Sequence, residues 1–149
     1  MTLYTIGYEG LALEGFLGLL TAHGIDHLVD IRDVPLSRKP GFSKTALAVA
    51  VESVGLRYSH VKALGCPKSI RDRHRADRDW AQYIRSFETY LATQDAAVEA
   101  LRATAAASRT CLLCYEADAS RCHRRFVADA VAGPTGTISH IGTEISATG

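Results

Sequence analysis

The fold of this chain follows from residues 3–34, which read LYTIGYEGLALEGFLGLLTAHGIDHLVDIRDV. The two ends of this stretch, residues 3–8 and 27–34, are apolar and rich in β-branched or aromatic side chains, a composition typical of β-strands. Between them four apolar residues recur with helical spacing, and a glycine follows where the helix should end. The four are Leu13, Phe16, Leu17 and Leu20, and the glycine is Gly24. A strand, a helix and a strand in this order predict two parallel strands joined by a right-handed crossover.

The same alternation continues along the rest of the sequence. Further strands are predicted at residues 56–61, 109–116 and 138–141, and further helices at residues 44–55, 80–107 and 122–133. The aromatic stripe of the 80–107 segment is attributed to core packing, and Thr93 divides that segment into two helices. The last strand, ISHI, is expected at an edge of the sheet.

These elements predict an α/β fold: a single three-layer domain with a mostly parallel sheet of about five strands and helices on both faces. The domain is expected to span residues 1–142, and the small polar residues 143–149 are expected to form a frayed tail. A chain of 149 residues is long enough for one domain with a substantial core.

Composition narrows the classes of function. The formal net charge is +1, so no overall field draws the protein to nucleic acid or to a membrane, and such a partner would have to bind a local patch. No apolar run approaches the roughly 18 residues of a membrane span, and the N-terminal residues lack the features of a signal peptide. We therefore expect a cytoplasmic protein with no membrane partner, in which the four cysteines are reduced thiols.

Polar segments follow three of the predicted strands. They are residues 30–42, 65–79 and 114–125. Because parallel strands end at a common edge, where α/β proteins bind ligands, these segments should meet at one site. Each also has a structural interpretation. The first can be an ion-pair network in which Asp30 pairs with Arg32 or Arg38, and the second can be a solvated face rather than a mobile basic flap.

The third segment, CYEADASRCHRR (residues 114–125), is the richest in reactive side chains. Residues of a strand alternate between its two faces, so Cys111 and Cys114 point in opposite directions. Cys111 is expected to pack in the core, whereas Cys114 and Glu116 share the other face. The Cys111-x-x-Cys114 spacing therefore does not predict a metal chelate of the kind that a turn provides.

The helix after that strand brings further groups to the same place. Ser120 suits a helix N-cap, which would put Cys122 and His123 in the first helical turn. There the unpaired backbone N–H groups and the helix dipole favour an anion and lower the pKa of a thiol. With Cys114 and Glu116 these residues would form one cluster of thiol, carboxylate and imidazole groups.

Three kinds of chemistry suit such a cluster. Its groups could bind a transition metal, but neighbouring ligands on a helix diverge by about 100°, so no metal is assigned. A phosphatase-like thiol would need a loop of bare amides. The loop here has no glycine, carries two acidic residues, and separates Cys114 from Arg121 by one residue more than the Cys-x5-Arg spacing. A reactive Cys122 or His123 with Glu116 as acid/base is the preferred interpretation.

With these motifs in view, the chain resembles the domain of unknown function 488 family. The likeness runs from the first strand to about Ile141 through TIGY, DIRDVPLSR, LRYSHVKALG, LLCYE and CHRR, in the order and spacing of the family. The signature positions that carry over are Asp30, Arg32, Pro35, Ser37, Arg38, Leu64, Gly65, Cys114, Glu116, Cys122, His123 and Arg124. The chain departs from the pattern at Tyr8, where His is common, and at Cys66, where a second Gly is common. The resemblance implies a small α/β domain with its polar motifs on one side, and it brings no established reaction.

The sequence thus favours an enzyme that acts on a phosphorylated small molecule or nucleotide. Its catalytic residues would be Cys122, His123 and Glu116, and its substrate-binding residues would be Arg32, Ser37, Arg38 and Arg124. The motifs do not indicate a particular cofactor. The alternative is a non-catalytic nucleic-acid-binding or adaptor module, in which the cluster is structural or binds a metal.

Overall fold

The computed structural model of the protein describes residues 1–142, and the predicted tail, residues 143–149, lies outside the described residues. In chain order the elements are β1 (Thr2–Gly7), α1 (Leu13–Ala22), β2 (His27–Asp30), α2 (Lys44–Ser53), β3 (Arg57–His60), α3 (Lys68–Asp77), α4 (Trp80–Leu91), α5 (Asp95–Ala107), β4 (Thr110–Cys114), α6 (Arg124–Ala132) and β5 (Thr137–Ile141). Two short 3-10 turns, Lys62–Leu64 and Ala119–Arg121, follow β3 and β4. None of these helices is long and apolar enough to cross a membrane.

The five strands lie parallel in one sheet, in the order β3-β2-β4-β1-β5. The first two strands of the chain are not neighbours, because β4 inserts between β1 and β2 and pairs with both. The last strand pairs with β1 at an edge of the sheet, as predicted. The predicted α/β fold with a parallel sheet of five strands is therefore confirmed.

Alternate side chains of each strand enter two hydrophobic cores, one on each face of the sheet. On one face Leu3 and Leu112 pack with apolar residues of α4, α5 and α6. On the other face Tyr4 and Cys111 pack with apolar residues of α1 and α2. Helices thus cover both faces of the sheet, which is the three-layer arrangement that the sequence predicts.

Residues 65–79 are largely helical, which the sequence analysis did not predict. None of the side chains of α3 is buried, so this helix lacks the apolar stripe by which α4 was identified. Its ion pairs join successive turns, Lys68 with Asp72 and Arg73 with Asp77. The segment is a polar helix that packs beside α4.

β2 ends at Asp30, earlier than its predicted limit at residue 34. The Asp30 carboxylate accepts the backbone N–H of Arg32 at 3.1 Å, which turns the chain out of the sheet. Pro35 follows in the loop and has no N–H group with which to continue a ladder. The backbone therefore leaves the sheet where the first polar motif begins.

The start of α6 differs from the prediction that Ser120 caps it. The Asp118 carboxylate accepts the backbone N–H and the hydroxyl of Ser120, and it caps the short turn before the helix instead. Cys122 then has an extended backbone, with φ −132° and ψ 146°, and α6 begins at Arg124. Cys122 and His123 therefore precede the helix, and their predicted place in its first turn is wrong.

The end of β1 approaches the loop after β4 so closely that only glycine fits at position 7. A methyl group on Gly7 would overlap the backbone carbonyl of Glu116. We expect Gly7→Ala to lower the free energy of unfolding by about 3 kcal/mol. The added methyl group would overlap backbone atoms, which cannot move aside as the end of a flexible side chain can. The matched control is Gly15→Ala in α1, where no atom lies near the added methyl group. There alanine should raise the free energy of unfolding by about 0.5–1 kcal/mol. Urea denaturation measures both variants, and equal midpoints would contradict the close approach.

Candidate functional site

A cleft of about 660 Å³ opens at the carboxyl edge of the sheet. The three polar segments meet there, as their positions after the strands predict. The first segment contributes Arg32, Asp33 and Ser37, the second Cys66, Arg71, His74, Arg75 and Arg78, and the third Cys114, Tyr115, Glu116, Arg121 and His123. The aromatic residues Tyr8, Trp80 and Tyr83 also line the cleft, together with the apolar residues Val34 and Leu36.

Cys114, Glu116 and Cys122 form a compact cluster at one side of this cleft. The two Sγ atoms and a carboxylate oxygen of Glu116 all lie within 4.8 Å of one another. Burial raises the pKa of the Glu116 carboxyl group above its ordinary value. Cys114 and Glu116 line the cleft, whereas Cys122 is 2% exposed and does not line it. The cluster that strand alternation predicts is thus brought together, but only part of it lines the cleft.

Two of the four cysteines are joined to each other, and the other two are free. The sulfur atoms of Cys114 and Cys122 are joined as a disulfide, whereas Cys66 and Cys111 are free thiols, so four reduced thiols are not observed. The Cα atoms of the joined pair are 7.6 Å apart, while disulfides usually span about 4.4–6.8 Å. Cys111 is fully buried in the core on the α1 and α2 face, where burial raises the pKa of its thiol. Burial also raises the pKa of Cys66, to about 11.

His123 lies beside the cluster as a neutral imidazole. Its Nε2 is 2.9 Å from the carbonyl oxygen of Ile31, and since a carbonyl only accepts, Nε2 carries the proton. Nδ1 is then an acceptor, 3.7 Å from Sγ of Cys122. Burial lowers the pKa of the ring to about 4, and the ring packs edge-on against Phe87. Such a nitrogen can take a proton or bind a metal.

Arg124, predicted to hold an anion, is completely buried and does not line the cleft. Its Nε donates to Oγ1 of Thr5 at 3.0 Å and its Nη1 to Sγ of Cys114 at 3.0 Å. The remaining donors bind the carbonyl oxygens of Glu116 and Ala117. Burial lowers the pKa of this guanidinium, and the charge of Glu116 opposes the shift. Arg124 thus holds a sulfur atom and a loop in place.

Arg32 reaches the cleft but is tied to Asp30, one of the two partners that the sequence indicated for this carboxylate. Its Nε and Nη2 donate to the two carboxylate oxygens at 2.9 and 2.7 Å, and its Nη1 donates to the carbonyl of Phe42 at 2.7 Å. Burial alone would lower the pKa of Arg32, but the hydrogen bonds and charge of Asp30 outweigh it and raise the pKa. This pair is the ion-pair network that the structural interpretation expected.

Ser37 and Arg38, the other predicted substrate-binding residues, differ in position. Ser37 lines the cleft, where its Oγ accepts the backbone N–H of Lys39 at 3.1 Å. Arg38 is exposed and does not line the cleft. Of the three arginines assigned to an anion, only Arg32 therefore faces the cleft.

Other arginines that sequence reasoning did not assign line the cleft instead. Arg71, Arg75 and Arg78 are spaced i, i+4 and i+7, which places them on one side of α3 and its C-terminal cap. That spacing was readable in the sequence, but no apolar stripe indicated a helix there. Arg121 enters from the loop after β4, and Arg71 is bound to Asp33 at 2.9 Å.

The cleft is positively charged overall. Five arginines line it against two carboxylates, those of Asp33 and Glu116. Burial works to raise the pKa of Asp33, but hydrogen bonds from Lys62 and Arg71 outweigh it and lower the pKa, so this carboxylate is ionised. Arg75 and Arg78 are exposed, and Arg78 makes no ion pair within residues 1–142. These two side chains can meet an anion from solvent.

The Asp30–Arg32 pair allows a direct test of which arginines are structural. Asp30 is completely buried and also accepts the hydroxyl of Tyr58 at 2.5 Å. We expect Asp30→Asn to lower the free energy of unfolding by about 3 kcal/mol, because it leaves a buried guanidinium without its counter-charge. Asp72, which pairs with Lys68 and has a side chain that is 41% exposed, is the matched control, and Asp72→Asn should leave the urea midpoint unchanged. Full stability of Asp30→Asn would mean that Arg32 does not need this partner.

A family model described as Domain of unknown function DUF488 matches residues 12–131, well over half of the chain. The resemblance drawn from the sequence motifs is thereby confirmed. No curated protein and no solved structure matches the chain.

Proposed function

The chain belongs to the DUF488 family, and we propose that this member is an enzyme that binds a phosphorylated small molecule or nucleotide in the cleft. One observation carries the proposal: exposed arginines and a group of acid/base and sulfur side chains line the same cleft. A ligand bound by the arginines would lie next to the acid/base and sulfur side chains. We place this activity in the cytoplasm, where the Cys114–Cys122 pair, joined in the structure, would be reduced.

Arginines on α3 and in the loop after β4 are the phosphate-binding groups of this proposal. Arg75 pairs with Asp72 at 3.4 Å, and its side chain is 73% exposed. Exposed pairs of this kind contribute little to stability, so the guanidinium can exchange its carboxylate for a phosphate. Arg78 and Arg121 line the same cleft and are exposed. The planar guanidinium suits bidentate recognition of phosphate oxygens.

Aromatic side chains support a nucleotide as the substrate. Trp80 and Tyr83 are stacked with ring centroids 4.6 Å apart, and both line the cleft. Tyr115 is 48% exposed at the same cleft. A base or another flat ring can stack on such a surface, and base–aromatic stacking contributes about 1–3 kcal/mol per base.

Glu116 is the acid/base group in this mechanism. Burial raises its pKa, which brings a carboxyl group closer to the pH at which it can both give and take a proton. His123 also lines the cleft, with Nδ1 as an acceptor. Of the two cysteines beside them, Cys114 lines the cleft and Cys122 does not, so a ligand would meet the sulfur of Cys114. The sequence had favoured Cys122 as the reactive thiol.

A second candidate function is a non-catalytic nucleic-acid-binding module. The observation that favours it is α3, a helix with no buried residue that carries cations beyond those in the cleft, among them Lys68 and Arg73. Such a helix could follow a nucleic-acid backbone. Binding of that kind loses affinity steeply with salt, since each phosphate contact releases a counterion.

Titration with inorganic pyrophosphate, ADP and adenosine tests the phosphate-binding arginines. We expect saturable binding of ADP and pyrophosphate and weaker binding of adenosine. Arg75→Gln should raise the Kd for ADP about tenfold, because a charge-assisted hydrogen bond contributes about 1.5–3 kcal/mol. Arg73→Gln is the matched control. It lies on the same helix and pairs with Asp77 at 3.4 Å, but it does not line the cleft. Equal Kd values for the two variants would contradict the assignment.

Catalysis is tested by incubating the full chain with a panel of nucleotides and sugar phosphates and following the mixture by mass spectrometry. We expect a product with the wild-type protein and at least a hundredfold slower turnover with Glu116→Gln, since general acid–base catalysis contributes about 10²–10⁴ in rate. Absence of any product, together with oligonucleotide binding that weakens steeply between low and high salt, would favour the binding module instead.

A further inference from the structure

Two sulfur atoms and a carboxylate converge at one side of the cleft. Sγ of Cys114, Sγ of Cys122 and an oxygen of Glu116 lie within 4.8 Å of one another. We propose that these three groups, with both cysteines reduced, bind a divalent transition-metal ion of the zinc type, with one coordination position open to the cleft. The metal site stands on its own geometry, and only the use of the open position rests on the proposed function. In the metal-bound protein Glu116 is a ligand, so a water molecule at the open position would take the acid/base role that Glu116 has in the metal-free chain.

The donor set suits such an ion. Zn²⁺ binds thiolates at about 2.3 Å and carboxylate oxygens at about 2.0–2.2 Å, so ligands of one ion lie roughly 3–4 Å from one another. The cluster is already close to that size. Three protein ligands with a fourth position for water or substrate are typical of catalytic zinc sites, whereas structural sites are closed by four protein ligands. Since Cys114 and Glu116 line the cleft, the open position faces it.

Both sulfur atoms accept N–H bonds from one residue. Nη1 of Arg124 donates to Sγ of Cys114 at 3.0 Å, and the backbone N–H of Arg124 donates to Sγ of Cys122 at 3.5 Å. Hydrogen bonds of this kind orient and stabilise thiolate ligands at metal sites. Two thiolates and a carboxylate would otherwise place three negative charges beside a single buried guanidinium, and a divalent cation balances the excess.

His123 provides an independent observation. Its Nε2 donates to the carbonyl oxygen of Ile31 at 2.9 Å, and its Nδ1 lies 3.7 Å from Sγ of Cys122. A histidine at a metal site commonly donates one ring N–H to a backbone carbonyl, which fixes the tautomer and directs the other nitrogen to the ion. Nδ1 of His123 therefore lies beside Cys122 as an unprotonated nitrogen outside the cluster of three ligands, and the fourth position stays open.

The backbone spacing of the two cysteines favours shared ligation over a lasting disulfide. Their Cα atoms are 7.6 Å apart, beyond the about 4.4–6.8 Å that disulfides usually span. Two thiolates on one tetrahedral ion hold their sulfur atoms roughly 3.8 Å apart, because each Zn–S bond is about 2.3 Å. Ligation therefore keeps the two backbones farther apart than an S–S bond does. Binding of the ion to the two thiols releases their protons and needs no oxidant or reductant.

Metal analysis of the full chain tests the site. The protein is expressed in zinc-supplemented medium and purified under a phosphine reductant without chelator, and its zinc is measured by inductively coupled plasma mass spectrometry. We expect about one zinc per chain in the wild type and at least a tenfold loss in Cys114→Ser and in Cys122→Ser. Cys66→Ser is the matched control, because this free cysteine lines the same cleft outside the cluster, and it should retain its zinc. Circular dichroism establishes that each variant is folded.

Cobalt substitution provides a second measurement on the wild-type chain, which does not depend on whether the cysteine variants fold. Co²⁺ added to the reduced, metal-free protein should produce a thiolate-to-metal charge-transfer band that Zn²⁺ then removes. The proposal is overturned if the reduced wild type binds neither ion, or if Cys66→Ser loses as much zinc as the other two variants. It is also overturned if metal-free protein isolated from a reducing cytoplasm carries a Cys114–Cys122 disulfide. Titration of the metal-free chain with pyrophosphate tests the proposed function separately. Binding of pyrophosphate without binding of zinc would overturn the metal site and leave the proposed function standing.

Discussion

The buried guanidinium of Arg124 is the group on which the arrangement of the site depends. It is completely buried, yet its donors reach Thr5 on β1, Cys114 at the end of β4, and the carbonyls of the loop that follows. A charge in that position is tolerated only because each of these bonds is made, since a buried donor without a partner costs about 1–3 kcal/mol or more. One side chain thus joins two neighbouring strands, a loop and α6, and it fixes the sulfur of Cys114 relative to the backbone of Glu116.

The fold could be predicted from the sequence because its signal is local and periodic. Apolar alternation gave the strands, and it correctly separated Cys111, in one core, from Cys114, at the site. The role of Arg124 could not be predicted in the same way. Arg124 lies within the helix in both the predicted and the observed range, and its buried position depends on partners elsewhere in the chain, among them Thr5, which is 119 residues away.

The cations of the cleft escaped prediction for a different reason. Sequence patterns identify a helix by the apolar residues that it buries, and α3 buries none. Its stability within the fold comes from ion pairs between successive turns and from packing beside α4. Three of the arginines that line the cleft, Arg71, Arg75 and Arg78, therefore lie on an element that only the three-dimensional structure reveals. Of the arginines in the recognisable motifs, Arg32 and Arg124 proved to be bound internally, and Arg38 is exposed away from the cleft.

The two sets of arginines differ in burial and in the partners that they bind. Arg32 and Arg124 are each held by several protein acceptors, so they are rigid and contribute few donors to a ligand. They hold the loops after β2 and β4 at the carboxyl edge of the sheet, and so they set the positions of the side chains that line the cleft there. Arg75 and Arg78 are exposed and can move, so they can approach a charged ligand at little cost in side-chain packing. Under the proposed function the two sets would have different roles, because the buried arginines hold the cleft groups in fixed positions while the exposed ones are accessible to a ligand from solvent.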